Sequence, residues 1–201
     1  MVPYTRGRER SRPVADVLAE VEELRYRGYR EVTLLGQTVN AYGKSLRPRT
    51  TFAALLRQID ALAGGEIRIR FTSPHPREVT PDLYAAMAEC RGVCEHAHLP
   101  VQSGSDRVLT RMRRLYTRAE YVEVVRRLRE AIPDVALSTD LIVGFPGETE
   151  EDHRATLDLL REVGYASLFA FYYSPRPHTP AAEYPDQVLE PVKRQRLTEH
   201  A

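Results

Sequence analysis

A chain of 201 residues, 42% of them hydrophobic, fits one domain of ordinary size or a piece of a larger one, and it is too apolar for general disorder. No run approaches the roughly 18 apolar residues of a membrane span. The opening MVPYTRGRERSRP lacks the apolar stretch of a secretory signal, so a soluble, cytoplasmic protein is expected. The net charge of +1 hides an uneven make-up: of 29 basic residues only Lys44 and Lys193 are lysines, the rest being arginines. That bias fits either the codon usage of a GC-rich genome or phosphate contact by guanidinium forks. Two clusters bear on the choice, Arg6, Arg8, Arg10 and Arg12 near the start and Arg107, Arg111, Arg113, Arg114 and Arg118 in mid-chain; each also fits a plain solvated face.

In chain order, a first helix is predicted over residues 13–27, where Val14, Val17, Leu18, Val21 and Leu24 recur at i, i+3 and i+4 and Pro13 stands near the start. Gly28 ends it, and residues 31–35 form a short apolar strand that runs into Gly36. Residues 37–50 are a loop rich in Asn, Gly and Pro. A second helix carries Phe52, Leu55, Leu56, Ile59 and Leu62 until Gly64 and Gly65 stop it. Over 66–72, Ile67, Ile69 and Phe71 alternate with Arg68 and Arg70, the period of a strand. Thr80 and Pro81 open a third helix as N-cap and first-turn proline, and residues 94–101 form the next strand.

After Ser103, Gly104 and Ser105 the chain is helical through Val108, Leu109 and Met112. A longer helix starts at Thr117, with Glu120 completing a capping box and Tyr121, Val124, Val125 and Leu128 as its buried stripe. Residues 135–145 are a strand. Thr149 caps the following helix, which turns Leu157, Leu160 and Val163 inward, and 165–173 is the last strand. A proline-rich tail, SPRPHTPAAEYPD, precedes a short closing helix.

Strands and helices that alternate at this spacing pair in parallel through right-handed crossovers. The expected fold class is therefore α/β, a partial, open TIM-type barrel, with a doubly wound open sheet as the alternative. In both, chemistry sits in the loops after the strands' carboxyl ends. Those loops hold Gln37 and Asn40; Thr72, Ser73 and His75; Gln102, Ser103 and Ser105; the run Gly144–Glu148; and residues 174–180. Such a rim suits a ligand with ribose hydroxyls, an amino-acid carboxylate and an adenine edge. No Ser, His and acid stand in a triad context, and GFPGE is too short for a nucleotide-binding glycine fingerprint. Cys90 and Cys94 open a CxxxCxxC pattern whose third position is Ala97. Cys94, His96 and His98 share one strand face, which admits zinc, but a pair of small buried thiols is the plainer reading.

Six blocks, VPYTRGRERSRP, LLGQTVNAYG, FTSPHP, HLPVQSGSD, STDLIVGFPGETEED and YSPRPHTPAA, resemble in order and spacing the radical S-adenosylmethionine core of tRNA methylthiotransferases, from Val2 to about Ala182. LLGQTVNAYG is most similar to the branch that makes 2-methylthio-dimethylallyladenosine (from isopentenyladenosine). The resemblance implies a barrel of the radical S-adenosylmethionine type, S-adenosylmethionine and a 4Fe–4S cluster as cofactors, and methylthiolation of a modified adenosine beside the tRNA anticodon. It implies tRNA and a flavodoxin-type electron donor as partners, no membrane, and a monomer. By matching position, Gln37 and Asn40 line the cofactor pocket, Ser73 lies near the methionyl end, Gln102 and Ser103 lie near the ribose, and the backbone at Ile142 and Val143 meets the adenine. Tyr4, Arg6 and Gly7 belong to the cluster-bearing loop, and Arg8, Arg10 and Arg12 reach RNA.

The departures are as informative. The family's third cluster cysteine lies two residues before the Val-Pro-Tyr block, so all three ligands, with the first barrel strand and its loop, are expected to lie outside this chain, and no residue here is assigned as a metal ligand or as catalytic. The expected division is a truncated core over 1–183 and a tail over 184–201 that leads toward an RNA-binding barrel. Such a piece is expected to be inactive and to expose a strand edge; a cluster-less S-adenosylmethionine- or tRNA-binding module is the alternative. His178 stands where glycine is usual in its block, in a turn that favours positive φ.

Overall fold

The structure, a computed structural model, describes residues 10–72 and 74–199. Helix α1 (Val14–Tyr26) leads to strand β1 (Glu31–Leu34), α2 (Phe52–Ala63), β2 (Arg68–Phe71), α3 (Pro81–Glu89) and β3 (His96–His98). Helices α4 (Asp106–Arg111) and α5 (Arg118–Ala131) then precede β4 (Ala136–Val143), α6 (Glu150–Val163), β5 (Ser167–Tyr172) and α7 (Glu190–Thr198). Short 3-10 turns lie at Val39–Ala41, Pro76–Glu78 and Pro180–Glu183, the first inside the segment expected to be loop throughout.

Local chemistry places these boundaries. The Thr51 side chain accepts from the Ala54 N–H at the start of α2, and Gly64 closes that helix in the left-handed region at φ 60°. Helix α5 opens on the expected Thr117–Glu120 capping box and α6 on a second box, Thr149 with Asp152. Strand β3 is shorter than its sequence pattern. The ladder ends when the Leu99 N–H donates to the Ser138 carbonyl (2.8 Å); Pro100 then has no N–H, and the Val101 N–H turns to the Thr139 hydroxyl (3.0 Å). Pairing returns only as a single bridge between Gln102 and Leu141.

All pairings are parallel, β1 with β2 and β3 with β4 and then β5. A bridge between Ile69 and Val93, with the Ile69 N–H donating to the Gly92 carbonyl (2.7 Å) and the Cys94 N–H to the Ile69 carbonyl (3.0 Å), joins the two groups. The spatial order is therefore β1-β2-β3-β4-β5, identical to chain order. A doubly wound sheet reverses its order at a switch point; this one does not, and among the described residues β1 does not pair with β5. It is an open arc of a barrel.

The arc has two unlike faces. Val32, Ile69, Phe71, Ala97, Leu99, Leu137 and Leu141 are buried in one cluster with Leu56 and Ile59 of α2, Leu83 of α3, Tyr121 of α5 and Leu159 of α6. The opposite face carries Glu31, Arg70, His96, His98, Ser138, Asp140 and Phe169, joined by polar and ring contacts. One expected stripe is shifted: α6 buries Asp152, His153, Thr156, Leu159 and Val163, while Leu157 is only half-buried. Asp152 and Thr156 are taken up by the loop after β3, and His153 by Glu199. Among the described residues no helix is long and apolar enough to cross a membrane.

Candidate functional site

The loops after the strands' carboxyl ends lie side by side, tied in series. From the loop after β1, the Asn40 side chain bonds both backbone groups of His75, accepting from its N–H (2.9 Å) and donating to its carbonyl (2.9 Å). The His75 ring meets Tyr116 edge-on at 5.6 Å, and the Tyr116 hydroxyl donates to the Val101 carbonyl (3.0 Å). The Gln102 N–H donates to the Asp140 carbonyl (2.9 Å), and the Gln102 carbonyl accepts from the Ile142 N–H (3.0 Å). The Tyr173 N–H donates to the Val143 carbonyl (2.8 Å). The rims thus form one continuous edge.

Of the residues expected at a cofactor, Gln37, Asn40, Gln102, Ser103, Ile142 and Val143 lie along this edge, and Ser73, Tyr4, Arg6, Gly7 and Arg8 lie outside the described residues. Their side chains are not equally available. Asn40 has both amide atoms engaged on His75. The Ser103 hydroxyl lies 3.3 Å from that of Thr156 and accepts from the Ser105 N–H (3.2 Å). Gln102 is buried yet sits at φ 72°, a strained left-handed conformation for a residue with a side chain. Gln37 is exposed at the border of an open cavity of about 950 Å³ lined by α1, β1 and the loop over residues 36–45. Arg10 and Arg12 line the same cavity, and Arg12 pairs with Glu20.

The loop after β4 is the most heavily braced. The Glu148 carboxylate accepts from the Gly144 N–H (2.8 Å) and from Arg196 of α7 (2.7 Å), in a pair buried to 2% and 7% side-chain exposure. Burial pushes the Glu148 carboxyl up, against the pull of the Gly144 N–H and Arg196. Lys193, also of α7, donates to the Tyr173 carbonyl (3.1 Å), and its stem covers Gly144, where a Cβ would stand 2.4 Å from Lys193 Cγ. Arg111 donates to the Pro146 carbonyl (3.0 Å) and forks onto Asp186 (2.7 and 2.8 Å). Arg107 binds Asp152 and the Gly147 carbonyl. Burial opposes ionisation of Asp152, but Arg107, Ser105 and Thr149 outweigh it and hold the carboxyl well below the usual carboxylate range. Three arginines of the mid-chain cluster, Arg107, Arg111 and Arg118 (on Glu162), are therefore internal ties rather than a free phosphate-binding face.

Cys90 is buried at the end of α3, and burial, chiefly, pushes its thiol up to about 11. Among the described residues no group of three or more His, Cys, Asp or Glu is placed to hold a metal ion, so neither zinc nor an iron–sulfur cluster fits the side chains seen. His96 and His98 do share a face, but Ser138 and Asp140 join them. The sequence reading missed that arrangement and also the tie between α7 and Glu148; the alternation of Ser138 and Asp140 with Thr139 and Leu141 was the available signal for the first.

Comparison with known proteins agrees with the geometry. A synthase from Clostridium tetani named tRNA-2-methylthio-N(6)-dimethylallyladenosine synthase is 53% identical over 98% of this chain and 43% of its own length. The synthase of the same name from Carboxydothermus hydrogenoformans is 54% identical over 99% of this chain and 45% of its own length. The chain thus spans less than half the length of these curated relatives. Among solved structures, a radical S-adenosylmethionine methyltransferase from Kitasatospora setae superposes with a TM-score of 0.68 at 19% identity, over 85% of this chain and 33% of that one. Methylornithine synthase superposes at 0.58 and 16% identity, over 96% of this chain and 54% of that one; at these identities the likeness shows the fold. The description of the radical SAM superfamily matches residues 1–160, and the chain belongs to that superfamily.

Proposed function

We propose that this chain is catalytic core of a tRNA methylthiotransferase, which adds a methylthio group to a dimethylallyl-modified adenosine beside the anticodon. The observation that carries the reading is identity of 53–54% to synthases of that name over nearly every residue here, supported by the described loops after β1 to β4 lying side by side on one edge of the sheet. S-adenosylmethionine is the cofactor this edge suits; bound and reduced by one electron from an iron–sulfur cluster, it would release methionine and supply a radical able to abstract hydrogen. Gln37, Gln102 and the main chain at Ile142 and Val143 hold it, with Ser73 toward the methionyl end; Asn40 and Ser103 act by fixing the loops that carry those groups. No ligand of that 4Fe–4S cluster is assigned among the described side chains.

In this reading residues 1–183 are the core, residues 184–201 clasp it and lead toward an RNA-binding region, and Tyr4, Arg6 and Gly7 belong to the cluster loop. Arg8, Arg10 and Arg12 lie toward the tRNA. The working enzyme is a cytoplasmic monomer served by a flavodoxin-type electron donor. The test is a chimera in which this chain replaces the matching segment of the Clostridium tetani relative, expressed without oxygen in cells lacking that modification. Recovery of the 2-methylthio nucleoside in digested tRNA is expected. A chimera that carries its cluster and cleaves S-adenosylmethionine but leaves tRNA unmodified would refute the reading.

A further inference from the structure

The mid-chain arginine cluster divides in two. Arg107, Arg111 and Arg118 turn inward onto Asp152, Asp186 and Glu162. Arg113 and Arg114 do not: their side chains make no hydrogen bond or ion pair among the described residues. Nor do they cap the helix they follow. The Arg113 N–H donates to the Thr110 carbonyl (2.9 Å) and the Arg114 N–H to the Leu109 carbonyl (2.8 Å), so main-chain groups alone close the end of α4. Arg113 sits at φ 58°, at the position in this closure that glycine ordinarily takes. A long cationic side chain is kept where a residue without one would fit more easily, which points to a role outside the fold.

The turn that carries the pair is fixed to the cofactor edge. Tyr116 is buried, its hydroxyl donating to the Val101 carbonyl (3.0 Å) and its ring meeting His75 at 5.6 Å. On the far side of His75 the Arg77 N–H donates to His75 Nδ1 (3.3 Å), and the Arg77 side chain is exposed with no hydrogen bond or ion pair among the described residues. Burial chiefly, then the charge of Arg114, lowers the His75 pKa; Glu78 opposes and Arg77 adds, so both cations lie in the field of one ring. Glu78 itself is paired with Lys44. Arg113 is exposed and Arg114 half-buried. Guanidinium forks match phosphate oxygens, and three uncommitted ones stand beside the loops after β2 and β3. Carboxylates of an acidic protein would fit the same forks. A polynucleotide fits better, because a strand passing this edge presents a phosphate at every nucleotide.

We propose that Arg77, Arg113 and Arg114 form a phosphate grip for the backbone of the substrate RNA beside the loops after β2 and β3, each guanidinium taking one phosphate. This rests on the reading that the substrate is tRNA, and it separates the arginines that bind RNA from those that hold the fold.

The test titrates the full chain with an RNA hairpin from about 0.05 to 0.3 M salt. Glutamine at Arg77, Arg113 and Arg114 together should lower the slope of log K against log salt by about 2–3 and weaken binding about a hundredfold at about 0.1 M salt. Arg113→Gly relieves the turn, so it should lower the slope by about 0.7–0.9 with a melting temperature no lower than wild type. As a control, glutamine at Arg57, Arg126 and Arg127 removes three charges from ion pairs on α2 and α5 and should leave the slope nearly unchanged. A wild type that binds no hairpin, a rim variant that keeps the wild-type slope, or a control that loses as much would overturn the proposal. Binding of polyglutamate but not of the hairpin, dependent on the same arginines, would overturn it in favour of an acidic protein surface. A separate S-adenosylmethionine titration keeps the two readings apart. The expected slopes without cofactor binding would support the grip and count against the methylthiotransferase reading; cofactor binding with a slope indifferent to the three arginines would sink the grip alone.

Discussion

The loop after β4 and the loop after β1 lie on one edge of one sheet, yet they are built to opposite specifications. Residues 144–149 are gripped from three sides, by Arg107 and Arg111 of α4, by Asp152 of α6, and by Lys193 and Arg196 of α7. Residues 36–45 border a cavity of about 950 Å³ and are tied to the rest of the edge mainly by Asn40 on His75, with the Gly43 N–H donating to Ser11 and Lys44 paired to Glu78. Under the proposed function such asymmetry would serve the site: main-chain groups would be fixed where they meet the adenine, and side chains would stay adjustable elsewhere.

The contrast is broken most severely at Arg196. Arg196→Ala leaves the Glu148 carboxylate buried without its cation, and loss of one member of a buried pair costs about 3–5 kcal/mol. A fall of that size in unfolding free energy is expected by urea denaturation, with weaker S-adenosylmethionine binding where folded protein persists. A variant with an unchanged urea midpoint would show that α7 does not brace the loop.

Asp152→Asn comes next. The folded-state pKa of Asp152 is depressed, so its contribution is complete above the unfolded value near 4 and is lost as pH falls from there toward the folded value. Wild type should therefore lose stability on acidification below about pH 4, and the variant should lose about 1.5–3 kcal/mol at neutral pH and show a shallower acid limb. Melting temperature against pH reads both; parallel acid limbs would contradict the assignment.

At the weaker loop, Asn40→Ala removes two bonds to His75 and should cost about 1–2 kcal/mol. Its sharper signature is local: amide exchange should quicken over residues 36–45 and at His75 while residues 144–149 stay protected. Equal protection in both loops would erase the contrast.

Most of the architecture was legible because local signals and global order agree. Thr80, Thr117 and Thr149 stand where caps form, and apolar alternation marks Ile67, Ile69 and Phe71. What stayed hidden depends on contacts between distant residues. Nothing around Arg196 announces that it reaches Glu148, 48 positions away, and a short, arginine-rich terminal helix has the composition of a solvated one. Leu157 looked inward by spacing, yet the buried stripe includes Asp152 and Thr156 because Ser105 and Gly104 supply partners that only the folded loop brings near. Asn40 and Ser103 were legible as rim residues, but their engagement with His75 and Thr156 was not.

The smallest effect expected is at the far end of the braced half, where His178 adopts φ 64° in the proline-rich segment after β5. A side chain there meets steric cost that glycine escapes, whereas glycine loses more freedom on folding. The first term exceeds the second for a residue held in the left-handed region, so His178→Gly should stabilise the chain by about 0.5–1 kcal/mol. Because His178 is exposed and none of the braces at residues 144–149 runs through it, S-adenosylmethionine affinity should not move. A destabilised His178→Gly protein would mean that the imidazole makes a contact worth more than the strain of its turn, and the segment would then be held by side chains as firmly as the loop after β4.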